Sequence, residues 1–301
     1  MRKGLIVSIA GAGIAVIVAV FFWFAPTPER VVGGGANFVE RKDGAGIWYY
    51  TQGEESAIRV VLLASLGRST SDFNELAASL NGYGYRTLAI EVRGVGRSDL
   101  FGDASTVTLF DFANDVEAAL VADGADASER VFIIGHAFGN RLARAYATRY
   151  PHRIRRVVLL AAGGSQNIEA DPKVARALRD SFDKNLSTKA REEAIAYAFF
   201  ADQNKPPQHW LNGWHQPGAK LSVAAVQNTP PELWRGAGGS APMLVIQAAE
   251  DRIAPAETTS ARLKADFPDR TTVITVPSAG HALLPEAPGL IALHVHQFIA
   301  E

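Results

Sequence analysis

Hydrophobic runs alternate with amphipathic stretches along most of the chain. Ile58–Ala64 is apolar apart from Arg59, as expected for a strand that is buried on both faces of a sheet. The stretches between such runs have the mixed polar and apolar spacing of helices. The pattern predicts strands at Asn37–Arg41, Ile47–Thr51, Ile58–Ala64, Arg86–Val92, Arg130–Ile134, Ile154–Leu160, Met243–Ala248 and Thr271–Val276. It predicts helices at Ser71–Leu80, Thr108–Ala122, Phe138–Tyr150, Ala256–Asp266 and Glu286–Ala300.

Strands that alternate with helices indicate an α/β fold. Asp43-Gly44 lies between the first two predicted strands and is a hairpin signal. The later strands are separated by helices and need crossover connections, which predicts a mostly parallel sheet with helices on both faces. Binding sites in such sheets lie beyond the carboxyl ends of the strands.

Residues 165–240 interrupt this alternation with helical stretches and several prolines. We expect this insertion to form a helical lid over the strand ends. We expect its aromatic side chains to form a core of the insertion itself. The alternative is that some of them line an apolar substrate pocket, with Trp210 and Trp214 as the candidates, because such pockets are lined mainly by aromatic and aliphatic side chains. The aromatic residues of the insertion are Tyr197, Phe199, Phe200, Trp210, Trp214 and Trp234.

The first residues have the pattern of a membrane anchor. Leu5–Phe24 is a run of twenty residues without a charge, which at 1.5 Å per residue spans roughly 30 Å, enough to cross a bilayer. Residues 1–25 are therefore predicted to form an N-terminal transmembrane helix, with a cleaved signal peptide as the alternative. The glycine-rich residues 26–36 form a predicted linker, and the α/β domain is expected to occupy residues 37–301.

The charges that flank this segment bear on its orientation. Arg2 and Lys3 precede the apolar run and favour an N-terminus on the cytoplasmic side. Arg30, Arg41 and Lys42 lie on the far side and weaken that preference. The expected localisation is a membrane-anchored protein with an extracytoplasmic domain, in the periplasm or on the cell surface if the source is a bacterium.

Composition excludes several classes of partner and chemistry. Lysine and arginine total 30 against 31 acidic residues. The near-neutral balance argues against a nucleic-acid partner. The chain contains no cysteine, so it has neither disulfides nor a thiol nucleophile. His294 and His296 are two apart and would point to different sides of a helix, so no metal site is predicted, and no cofactor is expected.

Three turns that follow predicted strands carry the candidate chemistry. Gly135-His136-Ala137-Phe138-Gly139 lies between a strand and a helix, where a G-x-S-x-G sequence forms a nucleophile elbow. The middle residue here is Ala137 instead of serine. Asp251 follows the strand at Met243–Ala248, and His281 follows the last strand. In such sites a carboxylate usually orients a histidine, and the histidine activates the nucleophile.

The chain from about residue 37 onwards resembles the α/β-hydrolase superfamily. The order of elbow, Asp251 and His281 matches that family. Leu66-Gly67-Arg68-Ser69 resembles its oxyanion loop, and the segment from Glu91 to Ser98 resembles its D-x-R-G-x-G-x-S turn. The resemblance implies that Asp251 orients His281. It further implies that the backbone N–H groups of Leu66 and Phe138 stabilise an oxyanion.

Ala137 decides the predicted mechanism. A methyl group cannot attack a carbonyl, so an acyl-enzyme at this position is excluded. The leading prediction is a hydrolase of a small, apolar ester or amide-like substrate, in which His281 and Asp251 activate water. The elbow is similar to that of aminoacrylate hydrolases, which have a related G-H-A-x-G sequence. A non-catalytic domain that binds a ligand or partner, and a serine-to-alanine variant of an ordinary serine hydrolase, are the alternatives.

Basic residues are concentrated around the elbow helix. Residues 131–168 contain six arginines and no acidic residue. We expect these side chains to form a solvated flank, or else to contact anionic headgroups beside the predicted anchor. The six are Arg141, Arg144, Arg149, Arg153, Arg155 and Arg156.

Overall fold

One mixed sheet runs through the part of the chain that the structure describes. The computed structural model describes residues 35–42, 44–163 and 171–301. The strands there are β1 (Gly35–Glu40), β2 (Gly46–Gln52), β3 (Arg59–Leu63), β4 (Arg86–Ile90), β5 (Val131–His136), β6 (Ile154–Leu160), β7 (Met243–Ala248) and β8 (Thr271–Val276). Their order across the sheet is β1-β2-β4-β3-β5-β6-β7-β8. β2 pairs antiparallel with β1 and β4, and the remaining pairs are parallel, which confirms the predicted α/β sheet.

The helices of the described residues connect and cover these strands. They are α1 (Asn74–Gly82), α2 (Leu109–Ala122), α3 (Phe138–Arg149), α4 (Pro172–Phe182), α5 (Thr188–Phe199), α6 (Gln208–Asn212), α7 (Gln216–Gln227), α8 (Ser260–Asp266), α9 (Leu283–Glu286) and α10 (Pro288–Ala300).

The alternation of side chains along β3 shows how the sheet is buried on both faces. Val61 and Leu63 belong to a core cluster that includes residues of α2 and α3. Val60 and Leu62 belong to a second cluster that includes residues of α1 and α10. Since successive strand residues point to opposite faces, both faces of β3 need apolar side chains. Helices therefore cover both faces, as the sequence predicted.

Arg59 interrupts the apolar run for a structural reason. It begins β3, where its Nε lies 2.8 Å from Asp123 Oδ2 and its Nη1 lies 2.9 Å from Glu129 Oε2. Arg86 begins the neighbouring β4 and shares the Asp123 carboxylate at 2.6 Å. This cluster satisfies the charges at the amino ends of both strands, away from the strand ends that carry the predicted site.

The predicted insertion lies between β6 and β7. Its described residues contain α4, α5, α6 and α7. The first three contribute most of a separate apolar cluster that includes Ile195, Phe199, Phe200 and Trp210. The insertion therefore has a core of its own. That it acts as a lid stays a prediction.

Several predicted helix boundaries were wrong at proline and threonine positions. The helix expected over Glu286–Ala300 begins only at Pro288, because Glu286 ends the preceding α9 and Ala287, before the proline, has a non-helical φ of −143°. The helix expected from Ala256 begins as a 3₁₀ turn at Ala256–Thr258, and α8 starts only at Ser260.

The predicted N-terminal segment lies outside the described residues. In the residues that are described, no helix is both long and apolar enough to cross a membrane. The anchor at 1–25 and most of the linker at 26–36 therefore stay predictions.

Candidate active site

The elbow between β5 and α3 has the sharp turn that the sequence predicted. Ala137 has φ 49° and ψ −104°, a backbone conformation that costs a non-glycine residue free energy. A Cβ on Gly135 would lie 2.1 Å from Gly139 O, and a Cβ on Gly139 would lie 2.0 Å from Leu63 O. Both glycines are therefore required for the close approach of strand and helix that holds residue 137 at the turn.

The side chain of Asn140 stabilises the elbow through hydrogen bonds, a role that was not predicted from the sequence. Its Nδ2 donates to the carbonyl of Ala137 and, at 3.2 Å, to that of Ala161 after β6. Its Oδ1 accepts from Arg144 Nη2 at 2.5 Å. Because Asn140 is fully buried, these bonds fix the turn relative to the neighbouring strand end. No sequence signal beyond its place after the elbow marks this residue.

His281 and Asp251 are brought together from the ends of β8 and β7. Both carboxylate oxygens of Asp251 lie 3.0 Å from His281 Nδ1. Asp251 Oδ1 also accepts from the backbone N–H of Ile253 at 3.0 Å and of Ala254 at 2.7 Å. With the carboxylate ionised, Nδ1 donates and Nε2 is free to accept a proton.

The electrostatics of Asp251 favour its ionised form. Burial raises the pKa of this carboxyl, but the neighbouring His281 and the hydrogen bonds from His281, Ala254 and Ile253 outweigh burial and hold the pKa below its usual range. Asp251 therefore stays charged at neutral pH. It can orient the imidazole and stabilise an imidazolium that forms during a reaction.

His136, the last residue of β5, contacts the backbone of His281 in the loop after β8. Its Nε2 lies 2.7 Å from His281 O. Burial, followed by the nearby His281, lowers the pKa of His136 to about 4. The ring is therefore neutral at physiological pH, and Nε2–H donates to the carbonyl. His136 therefore has a structural role beside the elbow.

One cavity joins the predicted site residues. It has a volume of about 640 Å³, and its lining includes Leu66, Ala137, Phe138, Trp214 and His281. Leu66 lies in the loop after β3. Phe138 is the first residue of α3, and N–H groups in the first turn of a helix have no partner within the helix. The two residues that are expected to supply oxyanion donors thus line the same cavity as His281 and Ala137.

The two candidate tryptophans have different positions. Trp214 lines the cavity. Trp210 is fully buried and packs against Phe199 and Phe200, with ring centroids 5.5 and 5.2 Å apart, and among the described residues it is not part of the cavity lining. Trp210 therefore belongs to the expected core of the insertion, and its candidate role as a substrate-binding residue is corrected. Its aromatic partners surround the ring inside the insertion.

Arg68 connects the loop after β3 to the insertion through side-chain contacts. Its guanidinium carbon lies 4.3 Å from the ring centroid of Trp210 and 4.8 Å from that of Trp214. Its Nη2 pairs with Asp72 Oδ1 at 2.6 Å, and its Nη1 donates to Gly213 O at 3.1 Å. The buried guanidinium thus bonds to the loop and to the insertion at once. In the sequence Arg68 belongs only to a loop motif, and no local signal predicts this contact.

The expectation of a solvated arginine flank was wrong for Arg144 and Arg153, which are fully buried. Arg153 pairs with Glu117 at 3.2 Å. Arg144 donates to Gly163 O at 2.7 Å and lies 4.6 Å from the ring centroid of Trp234. Folding supplies these partners from distant elements, so the side chains face neither solvent nor a headgroup.

The described residues contain no cluster of three or more His, Cys, Asp or Glu that could hold a metal ion. The site is built from an acid, an imidazole and backbone donors. Its geometry suits acid–base chemistry on a small carbonyl compound.

The comparison with protein families identifies the group to which the chain belongs. The family profile described as "Serine aminopeptidase, S33" matches residues 54–288. The chain belongs to this family of α/β hydrolases. The match spans the elbow, Asp251 and His281, so all three lie in the shared domain of this α/β hydrolase.

Individual relatives agree with this assignment. The 2-hydroxymuconate semialdehyde hydrolase of Pseudomonas sp. (strain CF600) is 29% identical over 240 residues, covering 72% of this chain and 77% of the relative. The bifunctional esterase/perhydrolase of Acinetobacter calcoaceticus is 24% identical over 275 residues, covering 82% and 93%. A solved esterase from Exiguobacterium antarcticum has a TM-score of 0.71 at 15% identity, covering 89% and 100%, a likeness of fold alone. The chain is therefore a hydrolase of the α/β family.

Proposed function

We propose that this α/β hydrolase cleaves a small, apolar ester or amide-like molecule by activating water with His281. The observation that carries the proposal is the pairing of His281 with Asp251, together with the cavity that His281 and Ala137 both line. Nδ1 faces the carboxylate, so Nε2 is the basic atom of the ring. Ala137 stands where the family has its nucleophile and cannot attack, which leaves a water molecule as the nucleophile.

The proposed reaction needs only the groups of this site. His281 Nε2 removes a proton from water as the water oxygen bonds to the substrate carbonyl carbon. The N–H groups of Leu66 and Phe138 stabilise the oxyanion of the tetrahedral intermediate. The intermediate then collapses, and the imidazolium returns its proton to the departing alcohol or amine. Water and the ester or amide become an acid and an alcohol or amine.

Magnitudes restrict the substrate. A site that lacks one member of a triad can retain about 10³- to 10⁴-fold catalysis over water. A well-placed oxyanion donor contributes about 3–4 kcal/mol. These contributions suffice for a labile carbonyl compound and are too small for an unactivated peptide bond. We therefore propose an activated or intrinsically labile ester or amide-like substrate.

The apolar character of the substrate is proposed from the cavity lining. Phe182, Phe199, Trp214, Val223 and Val226 are among the residues that line it. A cavity of this kind favours an apolar body with a few oriented polar groups. Trp214 is the member of the predicted tryptophan pair that we propose to contact substrate.

Hydrolysis of 4-nitrophenyl acetate and 4-nitrophenyl butyrate by the full-length chain tests the proposal. We expect turnover that His281→Ala abolishes and that His152→Ala, a change at an exposed histidine, leaves intact. An Ala137→Ser variant completes the set. Turnover only in Ala137→Ser would contradict water activation and indicate an assembled site that lacks its nucleophile. Absence of turnover in all variants, including with labile esters, would favour a domain that only binds a ligand.

We also propose that residues 1–25 anchor the enzyme in a membrane, with the hydrolase domain on the extracytoplasmic side. The support is the uncharged run Leu5–Phe24 behind two positive residues. The substrate would then be met outside the cytoplasm.

A further inference from the structure

Arg141 is a cation on the wall of the cavity that the proposed reaction does not use. It lies one turn into α3, is half-buried, and lines the cavity together with Ala137 and His281. Its guanidinium makes no hydrogen bond or ion pair with any described residue. The other arginines of the described chain that are not exposed each have at least one such partner. The partnered set is Arg41, Arg59, Arg68, Arg86, Arg93, Arg144, Arg153, Arg156, Arg191, Arg235, Arg252 and Arg270.

The described surroundings of Arg141 add positive charge and no compensating negative charge. Arg144 is fully buried three residues further along α3, and its partners are neutral, namely the side-chain oxygen of Asn140 and the carbonyl of Gly163. Among the described residues that line the cavity, none is acidic. Asp251 lies behind His281 with its oxygens already hydrogen-bonded. The wall near Arg141 is therefore electropositive.

The position of Arg141 carries a desolvation cost. Burial lowers the pKa of Arg141, and burial also lowers the pKa of Arg144 to about 9, with the charges of Arg141 and Arg235 acting in the same direction. Both groups nevertheless remain charged at neutral pH. A charge that is partly removed from water without a partner is unfavourable, and an anionic ligand would supply the partner that the described residues do not provide.

We propose that Arg141 binds a carboxylate carried by the substrate, so that the preferred substrates are esters or amide-like compounds that are also organic acids. This inference rests on the proposed function for the carbonyl that is cleaved. The planar guanidinium matches a carboxylate with two parallel hydrogen bonds. Among the described lining residues Arg141 is the one lysine or arginine and the others are apolar or neutral, which suits a monoanion. The substrate then has an apolar body between its scissile carbonyl and its acid group.

An equilibrium binding experiment tests this assignment without any turnover. The probes are 4-tert-butylbenzoate and its uncharged match, 4-tert-butylbenzamide, titrated into the full-length chain in a calorimeter. We expect the acid to bind about 10- to 100-fold more tightly than the amide, as for hydrogen bonds to charged groups. Arg141→Gln should remove this preference and Arg141→Lys should retain part of it. Arg149→Gln changes an exposed arginine of the same helix and should leave it unchanged.

A kinetic experiment tests whether Arg141 binds a carboxylate of the substrate that is cleaved. The substrates are the mono-4-nitrophenyl ester of suberic acid and the same compound with its free acid methylated. We expect kcat/KM to favour the free acid by about 10-fold or more in the unaltered chain and in Arg149→Gln, and to lose that preference in Arg141→Gln.

Failure of this inference is distinguishable from failure of the proposed function. Equal binding of the acid and the amide by the unaltered chain overturns the carboxylate site, even if Arg141→Gln does not fold. Turnover of the methylated ester at the same rate as the free acid has the same meaning and leaves the hydrolase proposal standing. Absence of all turnover with a retained preference for the acid in binding would instead contradict the hydrolase and support the carboxylate site.

Discussion

Replacement of Asp251 by Asn tests how the structure sets the proton on His281. Asp251 Oδ1 accepts from the N–H groups of Ile253 and Ala254, and both carboxylate oxygens face Nδ1 of His281 at 3.0 Å. In Asp251→Asn the amide oxygen keeps the two backbone bonds, because an NH₂ group cannot accept them. The NH₂ then faces Nδ1 and donates to it. The remaining ring proton moves to Nε2, and the proposed base can no longer accept a proton from water.

The expected loss follows from this change of tautomer. The same substitution in a Ser-His-Asp triad lowers kcat by about 10⁴-fold for this reason. We expect kcat/KM to fall by about 10³- to 10⁴-fold, equivalent to about 4–5.5 kcal/mol of transition-state stabilisation. The change removes a charge and keeps the shape of the side chain, so the fold should persist.

The assay is release of 4-nitrophenolate from 4-nitrophenyl acetate by the full-length chain, with ¹⁵N NMR of the imidazole to identify its protonated nitrogen. Asp202→Asn is the matched control, because the Asp202 side chain is 82% exposed and pairs with Arg252 on the surface. A loss of less than about 10-fold in Asp251→Asn, with Nε2 shown to carry the proton, would refute the reasoning about the base.

Three further predictions concern the elbow, a buried acid and the anchor. Gly139→Ala should lower the unfolding temperature of the domain markedly in a calorimetric scan, because its Cβ would lie 2.0 Å from Leu63 O. The control Gly289→Ala should be tolerated, because its Cβ would have no neighbour within 4 Å. Equal stability of the two variants would contradict the packing argument. Burial raises the pKa of Glu91 to about 7. Between about pH 4.5 and pH 7 the folded state therefore keeps a proton on Glu91 that the unfolded state releases. The free energy of unfolding consequently decreases as the pH rises through this range. Denaturant unfolding at pH 5 and pH 8 should show Glu91→Gln gaining stability relative to the unaltered chain at the higher pH, and a pH-independent difference would count against it. A topology reporter fused after Glu301 should read extracytoplasmic, and a cytoplasmic signal would reverse the proposed orientation.

The strands and the main features of the site were predictable because their signals are local. The near-continuous apolar run of β3 follows from burial on two faces, and the glycines at 135 and 139 follow from the close contact of strand and helix. Asp251 and His281 were each predictable from a position in the loop after a strand. Parallel strands bring their carboxyl ends to one edge of the sheet, so their meeting followed as well.

The missed features depend on contacts between distant elements. Trp210 and Trp214 are equally aromatic in sequence, and only the packing of the insertion places one in the core and the other at the cavity. Arg144 and Arg153 resemble solvated residues until folding brings carbonyl groups and Glu117 to them. Arg141 belongs to the same basic stretch but meets no such partner among the described residues, a difference that no periodicity could show.

The central claim is that His281 activates water at an elbow that cannot form an acyl-enzyme. Its most direct test combines the steady-state kcat/KM for 4-nitrophenyl acetate with intact-protein mass spectrometry during turnover, for the full-length chain and for His281→Ala. The account predicts turnover without any acyl adduct, and a loss of at least about 100-fold in His281→Ala, in the range expected for removal of a general base. An acyl adduct on a serine of the chain, or turnover that His281→Ala leaves unchanged, would contradict it.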